Sequence, residues 1–315
     1  MRGGTSGVWK RVAKVAVSLG LLAYLLQLVE LSEIVAVLSA ADPTLLALGF
    51  LLYLAGQAVS AAKWGLLSVA VGFRRPAPRF LAYYFIAMFF NAFGLGTVGG
   101  DVIRALSLAG EGGRRTLALN TVVADRVSGL LVLLAIALVS LVSFRTYELP
   151  GVLYWTTLML SGALLAGWRI APVVLPRVLP EGSWPRRLVE VDLAPYWNDY
   201  ALLAKAGAIS LVFHLSQVAV LMCLAAALGI AVPWTYYFIF GPLVNVFSAL
   251  PISWNGLGIR EGGYVFFLGH IGIARELAVA FGLVWFAMVI LGGVIGGVVY
   301  LFLQEVTRPS VSADE

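Results

Sequence analysis

Several apolar runs in this chain are long enough to cross a lipid bilayer, and this feature limits the fold more than any other. A helix needs about 20 mostly apolar residues to span the hydrocarbon core. Only helices and closed barrels satisfy the backbone there, and these runs lack the two-residue alternation of a barrel strand. We predict an all-α polytopic membrane protein with a single transmembrane domain over residues 1–315. The predicted crossings are residues 12–29, 45–71, 117–143, 152–171, 206–230 and 277–303.

The composition supports this class, because 61% of the residues are hydrophobic and only 12% are charged. Soluble proteins carry about 25% charged residues. Basic residues precede the first apolar run and no small-residue cleavage site follows it, so we predict an uncleaved first helix. One cysteine and two histidines are too few for a typical metal centre, and the sequence has no G-x-x-x-x-G-K-[ST] phosphate loop. We expect no metal and no cofactor.

Two further apolar stretches, residues 80–108 and 236–269, are each interrupted near the middle by a loop containing glycine or proline. The loops read FGLGTVGGD and LPISWNGLG. Glycine weakens a helix through backbone entropy, and proline removes a hydrogen-bond donor. A break at membrane depth persists only where protein or water satisfies the freed backbone groups. We predict that both stretches are re-entrant hairpins that enter and leave on the same side.

The distribution of arginine and lysine supports hairpins. With the N-terminus cytoplasmic, the outer loops hold only Arg145 and Arg275, whereas the inner segments hold most of the basic residues. This is the asymmetry of the positive-inside rule. If either broken stretch were a full crossing, everything after it would be inverted and the asymmetry would be lost. We therefore predict a multi-pass protein of the cytoplasmic membrane with both termini in the cytoplasm.

The two hairpins carry polar residues and glycines in the same order, which indicates an internal repeat. Three predicted crossings lie between them, so the hairpins enter from opposite faces, as in the inverted repeats of secondary transporters. The repeats cover about residues 80–144 and 236–304, and a cytoplasmic interfacial loop at about 172–205 lies between them. The matching positions are Asn91, Gly99, Gly100 and Arg104 in the first hairpin and Asn245, Gly256, Gly258 and Arg260 in the second.

Charged residues within the apolar stretches are the first candidates for a functional site. Each costs about 2.5–3.5 kcal/mol at membrane depth, so such charges usually pair and face a protein interior or a wet cavity. Asp101 and Arg104 are three residues apart on one helix face. Arg104 then either contacts a phosphate that Asp101 helps to orient, or forms a buried salt bridge. Across helices, we expect the pairs Arg126 with Asp101 or Asp125 with Arg104.

Other polar residues at the helix breaks have a functional and a structural interpretation. Paired glycines allow backbone amides to approach an anion, and asparagines either satisfy broken-helix backbone or bond to a headgroup. The candidate substrate-binding residues are Asn91, Gly99, Gly100, Asp101, Arg104, Asp125, Arg126, Asn245, Asn255, Arg260 and Glu261.

Three further features have structural interpretations. We predict that Lys63 is a snorkelling anchor. His214 is either a proton relay with Gln217 or a residue paired within its own helix. The glycines between Gly292 and Gly297 predict close helix packing.

The motifs resemble one known family. The run NAFGLGTVGGDVIR at residues 91–104, followed by VVADRVSGL at 122–130, resembles the lysylphosphatidylglycerol synthase transmembrane-domain family of flippase-like proteins. The later run LPISWNGLGIREGG at 250–263 resembles its second hallmark. One departure is Gly94-Leu95-Gly96, where the family commonly has Leu-Pro. Bifunctional members carry an aminoacyl-transferase domain; this chain ends at Glu315, so we expect a stand-alone member without it.

The resemblance implies movement of a polar-headed lipid between leaflets. We expect the substrate to be an anionic lipid, either a phospholipid or an isoprenoid-phosphate carrier, with Arg104, Arg126 and Arg260 at its phosphate. Membrane lipids surround the protein, and we expect no nucleic-acid partner.

Two alternatives belong to other classes. One is a membrane enzyme that modifies lipid headgroups, with Asp101, Asp125 and Glu261 as acid–base groups. Each of these acids has an arginine nearby, which makes it a poor base near neutral pH, so we do not expect an enzyme. The other is a non-transporting partner of a synthase or glycosyltransferase. A homo-oligomer is compatible with each of these functions.

Overall fold

The computed structural model describes residues 20, 27, 30–94, 97–110, 114–249, 253 and 256–307. All regular structure in these ranges is helical. The helices are α1 Leu31–Ala40, α2 Pro43–Ala70, α3 Ala77–Phe89, α4 Thr97–Ala109, α5 Arg115–Ser143, α6 Gly151–Val178, α7 Trp184–Arg187, α8 Ala194–Asn198, α9 Tyr200–Ala227, α10 Tyr237–Ser248, α11 Ile259–His270 and α12 Arg275–Thr307. Two π-helical segments, Phe90–Gly94 and Leu188–Asp192, and a 3-10 turn, Arg145–Tyr147, lie between them.

Five of these helices are long and apolar enough to cross a membrane, namely α2, α5, α6, α9 and α12. The predicted all-α polytopic fold is therefore confirmed. The first predicted crossing, residues 12–29, lies outside the described residues apart from residues 20 and 27.

Helix α6 extends further than the sequence predicts. The predicted crossing ends at Ala171, but the helix continues through Pro172 and Pro176 to Val178. A helix at membrane depth tolerates proline when its surroundings satisfy the freed carbonyl groups. The first seven residues of the segment 172–205 are thus helical, and α9 begins at Tyr200, inside the other end of that segment. The interfacial location of the segment stays a prediction.

The short segment between α6 and α9 packs against one end of the bundle. Tyr196 is 1% exposed and donates a hydrogen bond of 2.9 Å to the carbonyl oxygen of Leu67, near the end of α2. Burial raises the pKa of the Tyr196 phenol, which keeps it protonated as a donor. Trp197 packs on Trp168 of α6 with ring centroids 4.3 Å apart. Tyr196 therefore faces the protein interior.

Helices α3 and α4 form the first hairpin. The amide of Gly100 donates to Asn91 Oδ1 at 2.9 Å across the break, and a Cβ at Gly100 would collide with the carbonyl oxygen of Ala87. Arg114, just before α5, donates to the carbonyl oxygen of Val71 at 2.9 Å, just after α2. The two ends of this hairpin therefore meet at the same end of the protein.

Helices α10 and α11 form the second hairpin at the other end of α5. The hydroxyls of Tyr147 and Thr235 share a hydrogen bond of 2.6 Å, and His270 Nε2 donates to the carbonyl oxygen of Tyr147 at 2.7 Å. Thr235 precedes α10 and His270 ends α11, so both ends of this hairpin lie beside the turn that follows α5. The two hairpins open at opposite ends of the bundle. Whether each enters and leaves a bilayer on one side stays a prediction.

Each hairpin packs against the long helix of the other half. In α12, Gly296 lies directly against the backbone of Phe85 in α3, and Gly293 lies against Ala92. The predicted close packing of these glycines is confirmed. In the other half, Val246 of α10 packs with Leu133 and Leu134 of α5. Because α2 also runs along α9, the segments α2–α5 and α9–α12 make equivalent contacts.

Replacing Gly296 by alanine is expected to destabilise the protein. The new Cβ would overlap the Phe85 carbonyl group, and a backbone atom cannot move aside by changing a rotamer. We expect a loss of about 1–3 kcal/mol, typical of overpacking, measured as a lower thermal midpoint in detergent. The control is Gly162→Ala in α6, where nothing lies within 4 Å of the new Cβ. Equal midpoints for the two variants would contradict the close packing of α3 and α12.

Cysteine labelling tests the orientation of the hairpins. In a Cys223→Ala background, single cysteines at Arg74 and Arg115 flank the first hairpin, and cysteines at Trp234 and Ala274 flank the second. A membrane-impermeant thiol reagent should label the first pair from one side of the membrane and the second pair from the other. Labelling of Arg74→Cys and Arg115→Cys from opposite sides would contradict a re-entrant first hairpin.

Candidate functional site

Five charged side chains from three helices converge beside the first hairpin. Helix α4 supplies Asp101 and Arg104, α5 supplies Asp125 and Arg126, and α2 supplies Lys63. Both cross-helix pairs expected from the sequence are present, Arg126 with Asp101 and Arg104 with Asp125. We call these five residues the charge cluster.

The buried part of the charge cluster is centred on Asp125. Its Oδ1 lies 3.0 Å from Lys63 Nζ and its Oδ2 lies 2.9 Å from Arg104 Nη1. Lys63 also donates to the backbone carbonyl of Asp125 at 2.9 Å. All three side chains are at most 5% exposed. A buried charge is stable only when a close partner compensates it, and here one carboxylate compensates two cations from different helices.

Aromatic rings fix the position of Arg104. Its guanidinium carbon lies 5.0 Å from the ring centroid of Trp64 and 5.2 Å from that of Tyr84, which is cation–π distance. Trp64 in turn donates to the Thr121 hydroxyl at 2.9 Å, and Tyr84 donates to the Ser60 hydroxyl at 2.8 Å. The Arg104 guanidinium thus contacts two carboxylates and two aromatic rings. This arrangement favours the buried salt bridge over direct contact with a phosphate.

The accessible edge of the charge cluster is Arg126. Its Nε donates to Asp101 Oδ2 at 2.9 Å and its Nη2 donates to Asp101 Oδ1 at 3.1 Å. The Arg126 side chain is 52% exposed, against 19% for Asp101 and 2% for Arg104. Arg126 is the twelfth residue of α5, about 16 Å along its axis. Its half-exposed side chain is the part of the charge cluster that a ligand can reach.

The charges of the cluster do not cancel. Three cations and two carboxylates leave one positive charge in excess. Asp125 is shared between Lys63 and Arg104, and Asp101 is shared between Arg104 and Arg126. The excess positive charge is therefore distributed over the connected cluster, and Arg126 is the cation that an anion can approach.

The charged pair of the second hairpin is differently arranged. Glu261 is 0% exposed, and its Oε2 accepts a hydrogen bond of 2.5 Å from the amide of Gly258 at the start of α11. Its side chain also packs against Gly282 of α12. Glu261 thus satisfies an amide that the helix leaves unpaired. Arg260 is 9% exposed, and the ion pairs of Asp101 and Asp125 within the described ranges do not extend to it.

The remaining candidates occupy structural positions at the breaks. Asn91 uses its side-chain oxygen to accept from Gly100, and Gly99 is buried. The Gly100 amide already donates to Asn91, and the Ala87 carbonyl oxygen lies close to the Gly100 backbone. Asn245 lines a cavity of about 10 Å³ beside His214. Asn255 lies outside the described residues.

Two polar residues, one of α2 and one of α9, make contacts that the sequence did not predict. Lys63 does not snorkel, because it is 4% exposed and paired with Asp125. The position of Lys63 in the sequence could have shown this. It lies about two turns before the end of α2, further from the helix end than is usual for an anchoring lysine. His214 does not pair within its own helix, because its Nε2 donates to the carbonyl oxygen of Gly129 in α5 at 3.0 Å. The proton relay with Gln217 stays a prediction. The contacts of Trp64 and Tyr84 with Arg104 were also not predicted from the sequence.

Within the described ranges, no three His, Cys, Asp or Glu side chains lie close enough together to hold a metal ion.

Replacing Asp125 by asparagine is expected to destabilise the fold. Lys63 would lose the carboxylate that pairs with it, and Arg104 would lose one of its two carboxylate partners. Removing one member of a buried ion pair costs about 3–5 kcal/mol of stability. The measurement is the thermal midpoint in detergent.

The double variant Lys63→Met with Asp125→Asn should lose less stability than the two single losses together, because the two residues interact directly. Glu190→Gln is the control, since it removes only the exposed partner of Arg186, a pair worth about 1 kcal/mol or less. Additive losses in the double variant would show that Lys63 and Asp125 are not coupled.

Comparison with known proteins identifies the family. Residues 11–297 of the 315-residue chain match the family described as the lysylphosphatidylglycerol synthase TM region. No curated protein matches the chain. The family is a membrane domain associated with lipid handling. Both hairpins and the charge cluster fall within the matched range. The chain therefore belongs to the lysylphosphatidylglycerol synthase transmembrane family.

Proposed function

We propose that this protein moves an anionic lipid between the leaflets of the cytoplasmic membrane. The observation that carries the proposal is the half-exposed guanidinium of Arg126, about 16 Å along α5, at the edge of a charge cluster with one excess positive charge. An arginine at this depth is costly unless it has a partner. A phosphate headgroup supplies such a partner, while its tails remain in the lipid.

Asp101 allows Arg126 to change partners at low cost. A guanidinium binds phosphate oxygens through two parallel hydrogen bonds, and Arg126 makes the same kind of pair with Asp101. When Arg126 binds a phosphate instead of Asp101, Asp101 keeps its contacts with Arg104. Its Oδ1 lies 3.0 Å from Arg104 Nη2 and 3.1 Å from Arg104 Nε. No carboxylate is then left without a cation. Arg104 and Asp125 hold the site in place, and Arg126 makes the contact with the substrate.

The paired hairpins suggest how the site could face each leaflet in turn. Transporters with repeated, broken helices typically alternate by rocking one repeat against the other around a fixed midplane site. Here the equivalent halves are α2–α5 and α9–α12, and the charge cluster lies entirely in the first. We place both termini in the cytoplasm, consistent with the arginine-rich connections at the α2–α3 end.

We propose transport rather than chemistry on the headgroup. All three carboxylates named for acid–base roles are occupied: Asp101 and Asp125 by two cations each, and Glu261 by the amide at the start of α11. A carboxylate held by two cations is a weak base. A partner synthase or glycosyltransferase, and a homo-oligomer, are both compatible with this function.

Arg126→Gln is expected to slow lipid movement by about tenfold or more, which corresponds to about 1.4 kcal/mol. The measurement is the movement of fluorescent phosphatidylglycerol across proteoliposomes, detected by quenching from outside. Arg126→Lys should give an intermediate rate, because it keeps the charge and loses the two-pronged geometry.

The control is Arg145→Gln, which removes an exposed arginine of the turn after α5. Thermal midpoints establish that each variant folds. A rate unchanged in folded Arg126→Gln would overturn the assigned role of Arg126. No movement by the wild-type protein alone would favour the partner of a synthase or glycosyltransferase.

A further inference from the structure

A groove of about 580 Å³ lies between α2 and α3 and opens to the surface. Its α2 wall runs from Ala58 through Ala62 to Val69, and its α3 wall includes Pro78 and Leu81. The small alanine side chains do not fill the space between the two helices. The volume lies within the range of about 300–1,000 Å³ typical of ligand sites.

The groove has the length of one lipid chain in one leaflet. Ala58 and Val69 are eleven residues apart on α2, which is about 16 Å at 1.5 Å per residue. This is about half of the 30 Å hydrocarbon core. The walls are apolar over this length, so an occupant must be a hydrocarbon chain rather than a polar group.

One charged residue, Arg75, lines the groove. It lies on the short connection between α2 and α3, at the end of the groove near Val69, and it is exposed. No acidic partner within ion-pair distance of Arg75 is present among the described residues. An exposed guanidinium at the end of an apolar groove matches a phosphate at the end of an acyl or prenyl chain.

The back wall of the groove connects to the charge cluster through two aromatic rings. Phe80 lines the groove and packs edge-on against Trp64, with ring centroids 5.6 Å apart. Arg104 lies over the Trp64 ring at 5.0 Å. A chain in the groove is therefore separated from the charge cluster by these two rings.

We propose that this groove binds one apolar chain of an anionic lipid, with the headgroup phosphate on Arg75. The site rests on the proposed function only for the class of lipid and does not require that the lipid be moved. Because the groove opens to the surface along α2, a lipid enters it from the surrounding leaflet. The groove thus holds the lipid beside the first hairpin.

Photo-crosslinking tests this site. The probe is phosphatidylglycerol with a photoactivatable group on one acyl chain, in vesicles that contain the full-length protein. We expect crosslinks to concentrate on residues 58–69 and 77–81. Ala62→Trp fills the groove from an exposed position and should lower this labelling about fivefold, equivalent to about 1 kcal/mol. Arg75→Gln should remove the preference for phosphatidylglycerol over phosphatidylcholine carrying the same group.

The matched control is Val139→Trp on α5, a side chain that is 64% exposed and lies outside the groove. Labelling spread evenly over the outer faces of α6 and α9, or unchanged in Ala62→Trp, would overturn the proposal. Arg126→Gln separates the two proposals, because it should slow lipid movement and leave the groove labelled. Groove labelling in a wild-type protein that moves no lipid would uphold this site and reject the proposed transport.

Discussion

The buried carboxylate of Asp125 is the interaction on which the first half of the protein depends. It joins α5 to α2 through Lys63 and to α4 through Arg104, with both cations almost fully buried. In a low-dielectric interior such a pair is stable only as a complete set. The second half of the first hairpin is therefore fixed by charge as well as by packing. This arrangement keeps Asp101 and Arg126 in position at the accessible edge, where they form the adaptable part of the site.

The two halves share a scaffold but not a site. Each hairpin packs against the long helix of the other half, yet the ionic network occurs beside the first hairpin, whereas Glu261 of the second holds the start of its own helix. The two hairpins thus have similar packing, whereas their charged side chains have different roles. Within the described residues, the chemistry is concentrated on α2, α4 and α5.

Much of the fold was predictable because the thickness of the bilayer sets the length of the apolar run that a spanning helix needs. The crossings α2, α5, α9 and α12 and both broken stretches followed from apolar runs and glycines. The pairs Arg126–Asp101 and Arg104–Asp125 followed from the cost of isolated charge. The role of Lys63 could not be derived, because sequence periodicity does not show which helix lies opposite. The extension of α6 through Pro172 was missed because helix context decides whether proline ends a helix.

The glycine contact between α12 and α3 limits how the protein can move. Gly296 touches the backbone of Phe85 directly, so no flexible side chain lies between the two helices to absorb sliding. Sliding of α3 along α12 is therefore restricted at this contact. Any relative motion is left to interfaces built from larger and more pliable side chains, such as that between α10 and α5 at Val246 and Leu133. The size of the residues at each interface thus distinguishes the contact that resists motion from the contact that permits it.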